Sequence, residues 1–134
     1  MFSRRAVSHS LDSYHHEYRK VMLELGASRF AGDQLIAQNM ALNVDSRAHY
    51  TYSFETVIES DSGRLIEELL GLEIPRLFLY GEANKRLSYL PRLRNSSVVI
   101  TEIPSAAHFL FYDNPVATFQ AIGQFVRKVV EGTQ

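Results

Sequence analysis

The chain has 134 residues, 46% of them apolar and 22% charged, with a formal charge of −1 and no cysteine. That length and balance fit one modest globular domain with a core of its own. Near-neutral charge gives no field for nucleic acid or an anionic membrane, and the lack of cysteine excludes disulfides, thiolate zinc sites and cysteine nucleophiles.

The start of the chain carries Arg4 and Arg5 but no apolar run behind them, unlike a signal peptide. The arginine pair reads as a solvated end. No segment approaches the ~18 apolar residues of a membrane-spanning helix, so a soluble, cytoplasmic protein is expected. Leu11, Tyr14, Tyr18, Val21, Met22 and Leu25 recur at helical spacing, and Gly26 stands where a helix ends. This predicts a first helix capped by Ser10 or Asp12. A second is expected over 33–42 with Leu35, Ile36 and Met40 on its apolar side. A third follows Ser46 and carries Tyr50, Phe54, Val57 and Ile58. A fourth follows Ser62, which can cap it, and is expected to bury Leu65, Ile66, Leu69 and Leu70.

The pattern then changes. Pro75 precedes a short apolar run over 76–80 that ends at Gly81, the length and punctuation of a strand. Pro91 allows only a short or broken helix over 87–94. Val98, Val99 and Ile100 are β-branched and open a second brief strand. After a turn over 104–108, Asn114 and Pro115 form a cap and first-turn pair for a final helix reaching about Val130. Val116, Phe119, Ile122, Val126 and Val129 give it one apolar face, and Phe119 and Val126 are expected to be buried against the strands. Strand–helix–strand–helix over 74–131 is a βαβα unit of α/β class, whose strands should be parallel through a right-handed crossover. Two strands alone make a poor sheet.

The segments Ile74 to Asn84 (IPRLFLYGEAN) and Ser96 to Pro115 (SSVVITEIPSAAHFLFYDNP) resemble the C-terminal third of α/β-hydrolases. In that family a strand after a proline ends in a glycine-led turn holding the catalytic acid. The next strand leads through small residues to His-Phe, and a proline starts the last helix. The resemblance covers roughly 62–131 and implies a partial α/β-hydrolase fold. Residues 1–61 then look like the helical cap and 62–134 like the C-terminal part of the core. It further implies an esterase-like or epoxide-hydrolase-like activity with no metal or organic cofactor.

The resemblance puts His108 in the place of the general base, where an imidazole accepts and returns a proton near neutral pH. Without the flanking pattern, the same histidine reads as a loop residue held by a backbone carbonyl. Asn84 stands where the family has its acid. It can hold a ring by a hydrogen bond but cannot stabilise an imidazolium, a change that costs ~10⁴ in rate in a serine-protease triad. Glu82 is an alternative acid if the turn is reshaped; another is an acid after an earlier strand, and Asn84 also reads as a plain turn residue.

No G-x-S-x-G elbow occurs in the sequence. The nearest string, Ser8-His9-Ser10-Leu11-Asp12, lacks both glycines and a strand before it, so Ser10 reads as a capping serine. His15 and His16 are adjacent and point about 100° apart on a helix, which does not suit one metal; a solvated face is the plain reading, and His49 is equally plain. Tyr50, Tyr52 and Phe54 fit either a pocket lining or ordinary packing, and Glu67 and Glu68 fit the wet side of a helix.

Two readings of function follow. In one, the chain is the C-terminal part of a larger hydrolase and meets a small ester or epoxide substrate only when joined to a nucleophile-bearing part. In the other, it is a small non-enzymatic binding or assembly module on a degenerate hydrolase scaffold. A homo-oligomer is expected in either case. The outer edge of the first strand would lack its family neighbour, and its only charge, Arg76, lies at one end.

Overall fold

A computed structural model describes residues 11–43, 51, 56 and 62–132. They divide between two compact units, one within Met1–Arg29 and Asp33–Leu65, the other within Phe30–Gly32 and Ile66–Gln134. The architecture is mixed helix and strand, of general α/β class, with a two-strand parallel sheet. No described helix is long and apolar enough to cross a membrane.

In the first unit, helix α1 (Leu11–Gly26) forms where the spacing predicts it. Tyr18 and Val21 are buried, while Met22 and Leu25 are half-covered. The Tyr18 hydroxyl donates to the Met40 carbonyl of helix α2 (Ala31–Asn43) at 3.4 Å, and burial pushes its phenol above the ordinary value. The expected inner side of α2 is corrected in part. Ala37 is its buried apolar residue, whereas Leu35, Ile36 and Met40 are half-covered. A small side chain wins there because a Cβ on Gly26 would stand 4.0 Å from that of Ala37, so α1 and α2 meet closely at this point. The loop between them is tied by Ser28, whose hydroxyl donates to Asp33 (2.7 Å) and whose carbonyl accepts from Gln34 (2.6 Å). Thr51 and Thr56 are helical. Ser10, His49, Tyr50, Tyr52, Phe54, Val57 and Ile58 lie outside the described residues.

Helix α3 (Arg64–Gly71) starts as Ser62 predicts, its hydroxyl accepting the Arg64 N–H at 3.2 Å. The expected burial of its apolar side fails. Leu65 is 51% exposed, and Ile66, Leu69 and Leu70 are only half-covered. Polar contacts hold this helix instead. The Arg76 guanidinium donates to the Leu69 and Leu70 carbonyls at 3.0 and 2.7 Å, satisfying groups that a helix end leaves open. It also reaches Ser97, while Glu67 pairs with Arg92.

Strands β1 (Leu77–Gly81) and β2 (Val99–Ile103) pair in parallel, from Leu77 opposite Val99 to Gly81 opposite Ile103. No third strand joins them among the described residues. Their crossover contains a 3₁₀ turn (Glu82–Asn84) and helix α4 (Leu90–Arg94). Pro91 sits in the first turn of α4, where its missing N–H is not needed. Leu90 and Leu93 of α4 are fully buried and, with Tyr80, Val98, Ile103, Ala106 and Ala107, are the buried apolar residues of this unit.

A short helix α5 (Leu110–Asp113), not expected from the sequence, precedes helix α6 (Pro115–Gly132). Asn114 caps α6 as predicted, its side-chain oxygen accepting the Ala117 N–H at 3.1 Å. Helix α6 meets both strands, but not through the expected residues. Phe119 and Val126 are 61% and 50% exposed. The covered side runs through Thr118, Ile122, Phe125 and Val129, with Thr118 fully buried. Its hydroxyl bonds to the Asn114 and Leu110 carbonyls at 2.7 and 3.2 Å, so the burial leaves no orphaned group. The apolar arc of α6 is too broad for two short strands to cover.

These burials rank the helices' contributions. Leu93→Ala should cost ~2–5 kcal/mol, and Phe119→Ala in dilute solution less than ~1 kcal/mol. Urea unfolding of both variants checks the order, and the reverse order would mean that α6 docks through Phe119 after all.

Candidate functional site

The parallel register brings the C-terminal ends of β1 and β2 side by side. Beyond them lie the two turns in which the sequence predicts an acid and a base. Gly81 is buried where they meet. A Cβ there would stand 2.2 Å from the Ala107 oxygen, 2.4 Å from the Ala106 oxygen and 2.6 Å from the Ala106 carbonyl carbon. Only hydrogen fits, and this close approach explains why a glycine ends the strand.

Four consecutive residues of the second turn each have one backbone group held by a different side chain or peptide. The Pro104 carbonyl accepts from the Asn114 amide at 2.8 Å. The Ser105 N–H donates to Glu82 Oε2 at 2.9 Å. The Ala106 carbonyl accepts the Ala83 N–H at 3.1 Å, and the Ala107 N–H donates to Asp113 Oδ2 at 2.8 Å. Within this clamp Ser105 has φ of 54°, a left-handed conformation that costs a non-glycine residue energy and that its neighbours must enforce.

Asp113 has a second role. Its Oδ1 accepts the Gly32 N–H at 2.8 Å, fixing the Phe30–Gly32 segment of the same unit against α5. Gly32 is buried, and a Cβ on it would lie 2.5 Å from the Phe109 Cβ. One carboxylate therefore joins two stretches of chain that are far apart in sequence, and both of its hydrogen bonds go to backbone N–H groups. Charge assistance makes such bonds stronger than neutral ones.

His108 follows directly after the clamped residues. It is exposed, and its ring stands edge-on to that of Phe109 with centroids 5.0 Å apart. Asn84 closes the 3₁₀ turn, half-buried, with its carbonyl accepting the Leu87 N–H at 3.2 Å. No hydrogen bond joins Asn84, Glu82 or Asp113 to the His108 ring. The fold thus ties the two predicted turns to each other without pairing the two predicted side chains. His16 is exposed on α1 in the other unit. The described residues contain no group of three or more His, Cys, Asp or Glu placed to hold a metal ion.

Sequence reasoning missed Asp113 and Gly32. An acid directly before an Asn-Pro cap was visible in the sequence, but its bond to Gly32 had no local sign. Chemically, the arrangement offers an imidazole on a rigid base at the carboxyl end of parallel strands, open to solvent. No family model, curated protein or solved structure matches the chain.

The clamp can be tested without any activity. Asp113→Asn leaves one good acceptor for two backbone N–H groups, so one of them loses its partner at a cost of ~1–3 kcal/mol. Amide exchange at Gly32 or Ala107 should speed up. Gly81→Ala should cost ~3 kcal/mol or more, because its new carbon meets backbone rather than a side chain that can swing away. Unchanged exchange at both amides in Asp113→Asn would remove Asp113 from the clamp.

Proposed function

We propose that this chain is the histidine-bearing C-terminal part of an α/β-hydrolase, cap-bearing and esterase-like or epoxide-hydrolase-like, that works only together with a nucleophile-bearing part. The observation that carries the reading is the clamp over 104–107, which holds His108 at the carboxyl end of two parallel strands. Ligands of open α/β sheets bind at that end. Leu72 and Ile74, in the connection before β1, are exposed apolar residues that a further part of such a protein would cover. In this reading His108 is the general base, acting on a nucleophile supplied from outside these 134 residues. Asn84 occupies the acid position but lacks the charge to stabilise an imidazolium, so the acid comes from elsewhere.

One observation favours the second reading, a non-enzymatic module on a degenerate scaffold. Both carboxylates of the clamp, Glu82 and Asp113, are engaged by backbone N–H groups rather than by the imidazole.

A fluorophosphonate probe and short p-nitrophenyl esters separate the two. The isolated chain should take no label and hydrolyse the esters no faster than an exposed imidazole does. A longer form, expressed from an in-frame upstream region that encodes a strand and G-x-S-x-G, should label at that serine. His108→Ala should then lower its ester turnover by ~10²–10⁴-fold. Labelling of the isolated chain at Ser10 would sink the proposal, and an active longer form indifferent to His108→Ala would remove this histidine from the chemistry. Absence of any such upstream region would favour the module.

A further inference from the structure

The crossover between the 3₁₀ turn and α4 contains an irregular stretch over 85–89. Lys85, Arg86 and Ser88 are exposed there. Among the described residues, none of these three side chains makes a hydrogen bond or ion pair. Nearby arginines are all engaged. Arg76 holds α3, Arg92 pairs with Glu67, and Arg94 donates to the Tyr80 hydroxyl at 2.9 Å. The stretch hangs between two anchors, the Ala83 bond to the histidine turn and the Tyr89 ring, which stands edge-on to Phe78 at 5.9 Å. Between them the backbone is tied only by turn bonds from Lys85 to Glu82 (3.3 Å), Leu87 to Asn84 (3.2 Å) and Leu90 to Leu87 (3.2 Å). These lie at the long end of the hydrogen-bond range, so this segment opens locally at small cost.

Two unpaired cations thus precede an unpaired hydroxyl by three and two residues, on a loop that can lift from the surface. We propose that Ser88 is a phosphorylation site for a serine kinase of the class that reads basic residues ahead of its acceptor. Carboxylates in the peptide groove of such a kinase take Lys85 and Arg86 by charge-assisted hydrogen bonds. In the transfer, Ser88 Oγ bonds to the γ-phosphorus of a nucleoside triphosphate. The bond from that phosphorus to the bridging oxygen breaks, the hydroxyl proton passes to a carboxylate of the kinase, and the diphosphate leaves. The product carries a further charge of about −1.5 to −2 at pH 7. Lys85 and Arg86, with no other partner, are the cations that balance it, and the turn closes around the phosphate.

The fold separates Ser88 from other serines that sequence alone would rank with it. Arg92 and Arg94 stand five and three residues before Ser97, a second basic pattern. Those arginines lie on α4 and are engaged, and Leu93 between them is fully buried. The Ser97 hydroxyl accepts from Arg76, and that of Ser96 donates to the Leu93 carbonyl at 2.6 Å. That segment cannot enter an extended groove without pulling Leu93 out of the core. Ser105 is exposed as well, but Glu102 occupies the place three residues before it, where such a groove repels a carboxylate. The inference concerns this crossover alone and stands apart from the hydrolase reading.

The test incubates the full chain, folded by circular dichroism, with ATP and the catalytic domain of a kinase selective for basic residues at those two positions. Tandem mass spectrometry then maps the phosphate. Ser88 should be modified, and Ser88→Ala should lose that signal. Replacing Lys85 and Arg86 together by alanine should lower kcat/KM for Ser88 by ~10-fold or more. The melting temperature should not change, since neither side chain holds the fold. In the modified chain, amide exchange at Lys85 and Leu87 should slow. Protein from its own cells, taken with phosphatases blocked, should carry the same phosphate. An unmodified Ser88 in either preparation would overturn the proposal. So would modification of Ser96 or Ser97 in preference to Ser88, or a rate indifferent to removal of both cations.

Discussion

The close approach at Gly81 is the constraint on which the rest of the second unit depends. Two parallel strands of five residues offer few ladder hydrogen bonds and little area for a core. What makes them a platform is that the turns at their carboxyl ends interlock, peptide against peptide, where β1 has no side chain. A larger residue at 81 would push the 104–108 turn away. The bonds from Ala83, Glu82 and Asp113 would then lengthen together. The left-handed Ser105 would lose the contacts that hold it, and His108 would lose its fixed base. Packing at one point and hydrogen bonding at four others are therefore a single device.

The charged and amide side chains of this unit serve the backbone more than one another. Arg76 closes the last turn of α3, Glu82 and Asp113 accept N–H groups from the histidine turn, and Asn114 binds both the turn and the start of α6. A small unit with a shallow core gains from this, because each half-buried peptide group without a partner would cost more than a typical hydrogen bond returns. One group escapes the scheme. The Arg76 Nε is buried with no partner among the described residues. The two carbonyls and the serine that hold its other nitrogens fix the plane of the guanidinium, and Nε has to follow.

Features set by local chemistry were legible in the sequence. The strand-length runs ended by Gly81 and begun by Val98, the parallel sense of their pairing, and the caps at Ser62 and Asn114 all follow from residues within a few positions of each other. Facing was less legible. Periodicity identified α6 as apolar at Phe119 and Val126, but this helix is apolar over more than one side, and the pattern cannot say which side a narrow sheet will cover. The covered side turned out to include Thr118, whose hydroxyl returns to its own helix and so behaves as an apolar filler. The same limit applies to α3, where Leu65 faces outward, and to α2, where Ala37 outranks larger neighbours because the contact with α1 is tight. For the candidate site, the turn and His108 were visible as a pattern. The carboxylate that steadies them was not, since its partner Gly32 lies 81 residues away.

Holding a turn closed and polarising an imidazole are separate tasks, and here the carboxylates of the clamp perform the first. Asp113 accepts two N–H groups through its two oxygens, and turning toward His108 would orphan at least one of them. Glu82 would have to release Ser105, the one non-glycine among the described residues with a left-handed backbone. Either change would loosen the turn that presents the imidazole, and with it the orientation that makes an imidazole useful. Asn84, already held next to the clamp through its neighbour Ala83, is the residue in the 3₁₀ turn whose side chain carries no such structural duty. Its neutral amide keeps negative charge away from Glu82 two residues earlier, which suits a turn built to stay closed.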